Sequence, residues 1–379
     1  MRSPVKIFIV LIIFACSILA FTKITADQTH DYTCGEDDST MTLLFIGDIM
    51  QHQSQIDAAW NDTLQAYIYD SCFKYVTPLI RSYDYAIANF EFTLGGKPYT
   101  GYPQFSAPDA IVNALLFAGI DIVGTANNHS CDRGKKGIER TIKILDSLGL
   151  RHTGTFLDSA SRVQNYPMII SKNGIKIALL NYTYGTNSLA VPKPNIVNLI
   201  EENQIKQDLQ AARDSMPDKI IVFIHWGDEY KSYPNEYQEY YAKLLFDHGT
   251  DIIIGMHPHV IQRIERKFYP DSNGREVFIV YSLGNYISNQ RDRYRDGGMM
   301  VSLNLARKNK KVCIDNAGYY LTWVYTPVEN NKKRFYVLPA ANYENIRGIM
   351  DTLSCQKMKL FLSDSRELMK RESIGANEK

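Results

Sequence analysis

The sequence has almost no net charge, since 42 Lys and Arg residues stand against 41 Asp and Glu residues and leave a formal charge of +1. It also lacks a stripe of Lys and Arg interleaved with aromatic residues, which is the pattern that follows a phosphate backbone. Both absences argue against a nucleic acid partner. The 45% apolar and 22% charged residues are typical of a globular protein and exclude disorder for most of the chain.

Cysteine pairs and the common catalytic loops are missing as well. Six cysteines occur without a Cys-x-x-Cys pair, which excludes a zinc knuckle and a thioredoxin-like site and leaves room for a disulfide of unassigned pairing. No phosphate loop of the Gly-x-x-x-x-Gly-Lys-Ser/Thr type is present. Ser282 stands in Tyr-Ser-Leu-Gly-Asn, which lacks the glycine that precedes the serine in a nucleophile elbow. The sequence therefore disfavours a P-loop nucleotidase and a serine hydrolase.

The N-terminus has the pattern of an export signal. Positive charge in Met1–Lys6 precedes an apolar run of 15 residues, Ile7–Phe21, which has the length of a signal-peptide core and is short for a membrane span. We therefore predict a signal peptide or membrane anchor over residues 1–26, with lipidation at Cys16 as a further alternative. The remainder of the chain is expected to be exported to the periplasm or the cell surface, or held at the membrane by this segment.

Strand and helix patterns alternate after the leader. Apolar runs such as Met41–Ile46 and Ile120–Val123 predict strands, and the amphipathic spacing in 133–148 predicts a helix, so that the chain as a whole predicts an α/β fold. Asn173-Gly174 between two apolar runs is typical of an antiparallel hairpin, which makes a mixed sheet the expectation. Three- and four-residue spacing of apolar residues in 56–83 indicates further helices.

The same patterns define the expected domains. Residues 27–40 are acidic and polar and are interpreted as a solvated spacer. No linker interrupts residues 41–345, which we predict to form one domain, followed by a helical C-terminal tail over 346–379.

Several predicted strands end in side chains that commonly bind metals. In open α/β sheets, ligands bind outside the carboxyl ends of the strands, so side chains from distant parts of the sequence are expected to converge there. The relevant stretches are Gly47-Asp48, Asp84–Glu91, Gly119–Asp132 with Asn128 and His129, Asp218–His225, and Asp251–His259 with His257 and His259. Gly47 is expected to let the backbone pass close to a ligand.

The proposed ligand set contains carboxylate, amide and imidazole groups and no thiolate. Its members are Asp48, Glu91, Asn128, His225, His257 and His259. Such a set suits one or two divalent ions of manganese, iron or zinc, and two ions ~3.5–4 Å apart can activate a water and hold both ends of a displacement. His257 and His259 are expected on one face of an extended segment, because side chains alternate with period two. Two carboxylates against about +4 from two ions leave positive charge for an anionic substrate, either a phosphoester or a polyanion with carboxylates.

Two residues beside these ligands are candidates for catalysis. His129 is predicted to act as general acid, with its charged form stabilised by Asp132, and a purely orienting hydrogen bond is the alternative. Cys131 between them is either a nucleophile or a small apolar filler. Tyr99, Tyr102 and Phe105, in a loop rich in Gly, Pro and Tyr, are expected either in an aromatic wall beside the substrate or packed against one another within the loop.

The order and content of six motifs closely resemble the bacterial poly-γ-glutamate capsule biosynthesis (CapA) family, whose fold is similar to that of calcineurin-like metallophosphoesterases. The resemblance implies a four-layer α/β/β/α sandwich of two mixed sheets flanked by helices. The motifs are Gly47-Asp48, Asn89-Phe-Glu91, Ala126–Asp132, His225-Trp-Gly, His257-Pro-His259 and Ser282–Asn285.

The resemblance also assigns individual roles. Asp48 resembles the first metal aspartate of the phosphoesterases, and Glu91 stands where they have a bridging aspartate. Asn128-His129 resembles their Asn-His pair, and His225, His257 and His259 match the later histidine ligands. The first motif departs from the Asp-x-His pattern, because Met50 occupies the position of the histidine, and His52 is the nearest residue that can substitute for it.

The expected function is that of an exported metal-dependent hydrolase that acts in the synthesis or processing of an anionic envelope polymer such as poly-γ-glutamate. The bond attacked would be an ester, phosphoester or amide, and the polymer or its precursor and membrane synthase subunits are the expected partners. One alternative is a non-catalytic accessory that binds polymer or synthase through a degenerate metal site. Another is a cytoplasmic phosphatase whose leader resembles a signal.

Overall fold

The computed structural model describes residues 39–270, 274–344, 348 and 350–379. The predicted signal peptide or anchor over 1–26 lies outside the described residues, as does nearly all of the spacer 27–40. Among the residues described, no helix combines the length and the apolar character that a membrane span requires.

The described residues form helices around two large sheets. The α-helices are α1 Gln53–Ala59, α2 Thr77–Ile80, α3 Ala110–Ala118, α4 Gly134–Leu148, α5 Ser159–Asn165, α6 Glu202–Asp214, α7 Glu236–Asp247, α8 Ala340–Tyr343 and α9 Thr352–Glu372. The strands are β1 Thr40–Ile49, β2 Trp60–Asn61, β3 Ala66–Tyr67, β4 Tyr85–Phe90, β5 Ile122–Gly124, β6 Arg151–Thr153, β7 Thr155–Phe156, β8 Met168–Lys172, β9 Ile175–Thr183, β10 Ile196–Val197, β11 Lys219–His225, β12 Ile252–Met256, β13 Ile264–Phe268, β14 Glu276–Val280, β15 Asn285–Ile287, β16 Gly297–Lys308, β17 Lys311–Tyr325, β18 Val328–Glu329, β19 Lys332–Lys333, β20 Tyr336–Pro339 and β21 Asn377–Glu378.

Both large sheets are mixed. In the described part of the chain the first has nine strands in the order β20-β17-β16-β1-β4-β5-β6, with β15 beside β1 and β21 beside β17. Strands β1, β4, β5 and β6 are parallel, and β16, β17 and β20 continue the sheet in antiparallel fashion. The second sheet, with six strands in the same residues, has the order β13-β14-β12-β11-β9-β8, with antiparallel pairs at both edges. The β8–β9 pair turns at Asn173-Gly174, where both φ angles are positive as a tight hairpin turn requires.

The two sheets face each other. The period-two alternation of β1 determines which of its side chains lie between the sheets. Leu43 and Phe45 point to the second sheet, where Phe45 meets Phe223 of β11 with ring centroids 6.3 Å apart. Leu44 and Ile46 point the opposite way and pack with α3. The outer face of the second sheet is covered by α6 and α7. The predicted four-layer α/β/β/α sandwich is therefore confirmed.

Phe223 gives a test of this packing. It is fully buried between the sheets, so Phe223→Ala should lower the free energy of unfolding by about 3–5 kcal/mol through lost burial and a residual cavity. Urea unfolding measures the change. Phe117→Ala on α3 is the control, because that side chain is 53% exposed and its loss should cost less than about 1 kcal/mol. Equal effects of the two substitutions would contradict this description of the core.

Residues 56–83 contain less helix than the apolar spacing indicated. After α1 the chain forms the small β2–β3 hairpin, in which Trp60 and Tyr67 pair with ring centroids 5.0 Å apart. A 3-10 turn at Asp70–Phe73 and the four-residue α2 follow. The apolar side chains of 56–83 are buried wherever they point towards the sheet. Successive short turns can direct them there as well as a continuous helix can.

The C-terminal helix belongs to the same core as the sheets. Phe361 and Leu362 of α9 pack in the cluster of buried side chains that fills the space between the sheets, and β21 pairs with β17. Cys313 is disulfide-bonded, whereas the thiols of Cys72, Cys131 and Cys355 are free.

Candidate metal centre

The first sheet brings three predicted ligands to the carboxyl end of its parallel strands. Asp48 lies near the end of β1, in register with Asn89 of β4, and Glu91 follows β4 directly. Asn128 and His129 lie in the loop that follows β5. A register shift of β1 at Asp48 turns this side chain out of the regular alternation, which is a common role of bulges near functional sites.

The second sheet contributes three histidines to the same place. His225 is the last residue of β11 and is in register with Met256, the last residue of β12. His257 and His259 follow β12. All six predicted ligands converge, and each is at most 3% exposed.

These side chains contact one another directly around Glu91. The Glu91 Oε1 atom lies 3.7 Å from Nε2 of His225 and 3.7 Å from Nε2 of His259. Nδ1 of His259 is 3.0 Å from Oδ2 of Asp48, and Nε2 of His225 is 3.0 Å from Oδ1 of Asn128. The cluster therefore links both sheets through side chains alone.

Two overlapping groups of three side chains have the composition and spacing of metal ligands. One consists of Asp48, Glu91 and His225, and the other of Glu91, His257 and His259, with the ligand atoms in each group within 4.8 Å of one another. Glu91 belongs to both, as a carboxylate shared by two neighbouring ions would. The Glu91 Oε1 and His257 Nδ1 atoms are buried and have no hydrogen-bond partner. Since buried polar atoms are normally paired, these orphaned atoms fit a divalent cation as their partner.

The electrostatics of the cluster agree with this fit. Burial raises the pKa of the Glu91 carboxyl well above its usual range, and the adjacent Asp48 carboxylate raises it further. Burial lowers the pKa of His225 and of His257 well below the usual value, and neighbouring imidazoles add to the effect. Neutral imidazole is the form that binds a metal, and cations would offset the repulsion between the two buried carboxylates.

The backbone at the two later histidines differs from the expectation. His257 and His259 have φ angles of +99° and +57°, so they do not lie in an extended segment. Their rings nevertheless lie close together, with centroids 5.9 Å apart. Positive φ is unfavourable for a residue with a side chain and is found where the surroundings impose it, commonly at functional sites. The proximity of the rings therefore results from two left-handed residues and not from strand alternation.

His129 and Asp132 form a close pair beside the cluster. His129 Nδ1 lies 2.7 Å from Asp132 Oδ2, which also accepts the backbone N–H of Phe105 at 2.7 Å. The Phe105 and His129 rings pack in a T-shaped arrangement with centroids 4.6 Å apart. The contact with Asp132 engages Nδ1 and leaves Nε2 as the nitrogen available to a substrate. Phe105 lies at the site, where it holds this pair and contacts His129.

The surroundings of Cys131 are those of a small apolar residue that fills space in the core. Its side chain is buried in a small apolar cluster with Ala126, Ile138 and Ile142. Burial raises the pKa of the Cys131 thiol to about 11, which keeps it protonated at neutral pH. The structure thus favours the apolar filler over the nucleophile.

Neither Met50 nor His52 supplies the ligand that the first motif lacks. Met50 packs in the apolar cluster on the outer face of the first sheet. His52 Nδ1 accepts the backbone N–H of Asn289 at 3.2 Å, and burial lowers the pKa of His52 to about 4. Within the part of the chain that the structure describes, His52 belongs to neither group of three.

Two site residues were not identified from the sequence as part of the cluster. Asn89 Nδ2 donates to Asp48 Oδ1 at 2.7 Å and to Glu91 Oε2 at 3.2 Å. The sequence could have identified Asn89, because it stands two positions before Glu91 and residues two apart in a strand point to the same face. The Tyr184 ring lies 4.6 Å from that of His257 and is stacked with that of His225 at 6.3 Å. Tyr184 follows β9, so the strand-end rule applied to that strand would have found it.

Gly47 was expected to let the backbone pass close to a ligand, but in the structure it lets the backbone pass close to Gly284. A Cβ atom at this position would lie 2.1 Å from the carbonyl oxygen of Gly284. The backbone of β1 thus passes against the chain that leads into β15, and Asp48 N–H donates to the same oxygen at 3.0 Å. The absence of a side chain at Gly47 therefore allows this backbone contact, which helps to position Asp48.

The sandwich and its buried carboxylate and imidazole groups define an α/β/β/α protein with a candidate divalent-metal centre at the strand ends. The chain belongs to the family of bacterial capsule synthesis proteins described as PGA_cap, whose sequence model matches residues 42–290. The family predicted from the six motifs is therefore confirmed.

Two proteins with similar sequences agree with this assignment. The chain is 29% identical over 303 residues to the capsule biosynthesis protein CapA of Bacillus anthracis, covering 76% of this chain and 70% of that protein. It is 30% identical over 279 residues to the PGA biosynthesis protein CapA of Bacillus subtilis (strain 168), covering 69% and 67%. Among solved structures, the calcineurin-like phosphoesterase YfkN from Bacillus subtilis matches with a TM-score of 0.43 at 13% identity, covering 88% of this chain and 98% of that chain.

Proposed function

We propose that this protein is an exported metal-dependent hydrolase that acts in the synthesis or processing of an anionic envelope polymer such as poly-γ-glutamate. The observation that carries the proposal is Glu91, which is shared by two groups of metal-type ligands and has a buried oxygen without a partner. The names of the two CapA relatives, a capsule biosynthesis protein and a PGA biosynthesis protein, support the polymer as the context.

The ligand set supports hydrolysis of an ester, phosphoester or amide. Asp48, Glu91 and the neutral imidazoles of His225, His257 and His259 would hold one or two ions of manganese, iron or zinc, for which oxygen and nitrogen ligands without thiolate are suitable. When bound, such ions supply positive charge that acidifies a water and polarises the bond under attack. Two carboxylates do not neutralise two divalent ions, so an anionic substrate group is favoured.

His129 would complete the reaction as general acid. It holds a proton at Nε2 and donates it to the leaving oxygen or nitrogen, while the Asp132 carboxylate 2.7 Å from Nδ1 fixes the ring orientation. Phe105 packs against the ring and shields this pair from water. Asp132 therefore acts as a positioning residue for His129.

Metal content and hydrolysis test the proposal together. Purified full-length protein should contain divalent metal by elemental analysis and should cleave bis(p-nitrophenyl) phosphate or a γ-glutamyl anilide when manganese, iron or zinc is added. His257→Ala should lose metal and activity, because it removes a ligand from one group. His248→Ala is the matched control, since this histidine ends α7 and contacts the carbonyl of Leu244. Metal-free wild-type protein that His257→Ala leaves unchanged would overturn the proposal.

Met50 favours a second candidate function. Met50 stands at the position of a histidine ligand in the resembled motif, so the first motif supplies one ligand fewer. Such a centre suits an accessory that binds polymer or a membrane synthase without cleavage. Retained metal together with polymer binding, and no hydrolysis of either chromogenic substrate, would support the accessory. Cell fractionation tests export, and full-length protein confined to the cytoplasm would contradict it.

A further inference from the structure

Arg291 is a cation without a carboxylate partner in the segment that follows β15. Two other arginines of the same segment are neutralised, since Arg293 forms two hydrogen bonds of 2.8 and 2.7 Å with Asp364 and Arg295 pairs with Asp292. Among the described residues Arg291 forms no ion pair. Its guanidinium reaches the carbonyl oxygen of Asp296 at 3.5 Å and lies over the Trp323 ring at 5.2 Å from the centroid.

Lys333 of β19 is the second such cation. Its Nζ donates to Asn289 Oδ1 at 2.6 Å, and in the described part of the chain it too forms no ion pair. The preceding Lys332 on the same strand pairs with Asp62 at 2.9 Å. Asn289, which binds Lys333, stands two residues before Arg291, and burial followed by the charge of Arg291 lowers the pKa of Lys333.

The nearest acidic group neutralises this pair only in part. Asp296 attracts Arg291 from beyond ion-pair distance, and its Oδ2 accepts the indole N–H of Trp323 at 2.7 Å. Burial raises the pKa of Asp296, which weakens its charge further. Partly buried cations are unfavourable without a counter-ion. A bound anionic ligand would therefore stabilise Arg291 and Lys333.

A short chain of contacts joins these cations to the metal centre. The Asn289 residue that accepts from Lys333 donates its backbone N–H to His52 at 3.2 Å. The His52 ring packs on Phe105 with centroids 5.5 Å apart, and Phe105 packs on the candidate general acid His129 at 4.6 Å. Lys333 is therefore connected to His129 through Asn289, His52 and Phe105, and Arg291 follows Asn289 by two residues.

We propose that Arg291 and Lys333 form a subsite for a second anionic group of the substrate, whose carboxylate or phosphate oxygens they bind while the scissile bond lies at the metal centre. The planar guanidinium of Arg291 suits two oxygens of one group, and the Lys333 ammonium adds a point charge. The proposal rests on the proposed function for the bond that is cleaved. Anion binding at the two cations does not require the metals.

Calorimetric titration of chelator-treated full-length protein tests the subsite without metal. The probes are a pentamer of γ-linked glutamate for a carboxylate and inorganic phosphate for a phosphoryl group. We expect Arg291→Gln and Lys333→Gln each to raise the Kd of the probe that binds by ~10-fold or more, because hydrogen bonds to charged groups are among the stronger ones. Arg293→Gln and Lys332→Gln are matched controls on the same two segments and should change it less than ~2-fold.

Thermal unfolding gives a second readout that a merely structural role would not produce. Weaker probe binding with an unchanged melting temperature supports the subsite, whereas a lowered melting temperature in both variants would show that the two side chains are structural and would overturn it. Because the two substitutions lie on different segments, misfolding of one variant leaves the other to carry the test.

Each outcome separates the subsite from the proposed function. Controls that weaken binding as much as Arg291→Gln and Lys333→Gln, or wild-type protein that binds neither probe, would overturn the subsite even if the enzyme hydrolyses its substrates. Selective loss of binding in a protein that shows no hydrolysis would uphold the subsite and contradict the hydrolase. Binding of only one probe identifies the anionic group.

Discussion

Glu91→Gln should remove metal from both halves of the centre at once. Glu91 is the one residue common to the two groups of ligands, so the substitution withdraws a charged oxygen from each. Loss of an outer hydrogen-bond partner of a ligand already weakens metal binding ~10–100-fold, so loss of this shared ligand should exceed ~100-fold and abolish turnover. Elemental analysis and metal titration measure the effect. Glu139→Gln on the exposed face of α4 is the control and should retain both metal and activity.

The same substitution should stabilise the protein once metal is removed. The pKa of Glu91 is raised in the folded state, chiefly by burial and then by Asp48. A group with a raised folded-state pKa contributes stability below its unfolded-state pKa and loses that contribution as the pH rises through the folded-state pKa. Glutamine does not titrate, so the melting temperature of the variant relative to wild type should rise progressively above about pH 4.3, the ordinary glutamate pKa.

The melting-temperature difference between wild type and Glu91→Gln reports the titration of Glu91 and not that of the histidines. His225 and His257, whose pKa values are lowered, titrate in both proteins and largely cancel in the difference. A melting-temperature difference that does not change with pH would contradict the raised pKa of Glu91. A variant that keeps its full metal content would contradict the place of Glu91 in both groups of ligands.

His129→Gln should lower kcat by ~10²–10⁴-fold for substrates with a poor leaving group, because general acid catalysis has this magnitude. The p-nitrophenolate group leaves without a proton, so the same variant should lose far less activity with bis(p-nitrophenyl) phosphate. Metal content should not change, since His129 belongs to neither group of three among the described residues. Kinetics with two leaving groups of different basicity measure the contrast.

His152→Gln provides a matched control for His129. Its Nε2 lies 3.0 Å from Asp146, so it shares the histidine–aspartate contact but lies away from the ligands. It should leave kcat unchanged for both substrates. Equal losses for good and poor leaving groups in His129→Gln would show that His129 only orients its surroundings, the alternative that the sequence left open.

Local signals in the sequence were sufficient for the main elements of the sandwich. The β-forming run at Met41–Ile46 and the amphipathic spacing at 133–148 correspond to β1 and α4, and Asn173-Gly174 makes the predicted hairpin turn. Each of these depends on neighbouring residues and on side-chain periodicity. In 56–83 the same reasoning was wrong in part, because apolar spacing records which side chains are buried and does not distinguish a helix from successive short turns.

The sequence by itself also determined which chemical groups stand at the strand ends, because parallel strands expose their carboxyl ends at one edge whatever the details of packing. Only the tertiary structure decided that Glu91 is shared between two groups of ligands, that His257 and His259 meet through left-handed backbone, and that Asn89 and Tyr184 join the cluster. These features depend on how the two sheets are set against each other, which brings together residues as distant in sequence as Asp48 and His259. Distances across that interface are fixed by the packing of the whole core, which no local pattern contains.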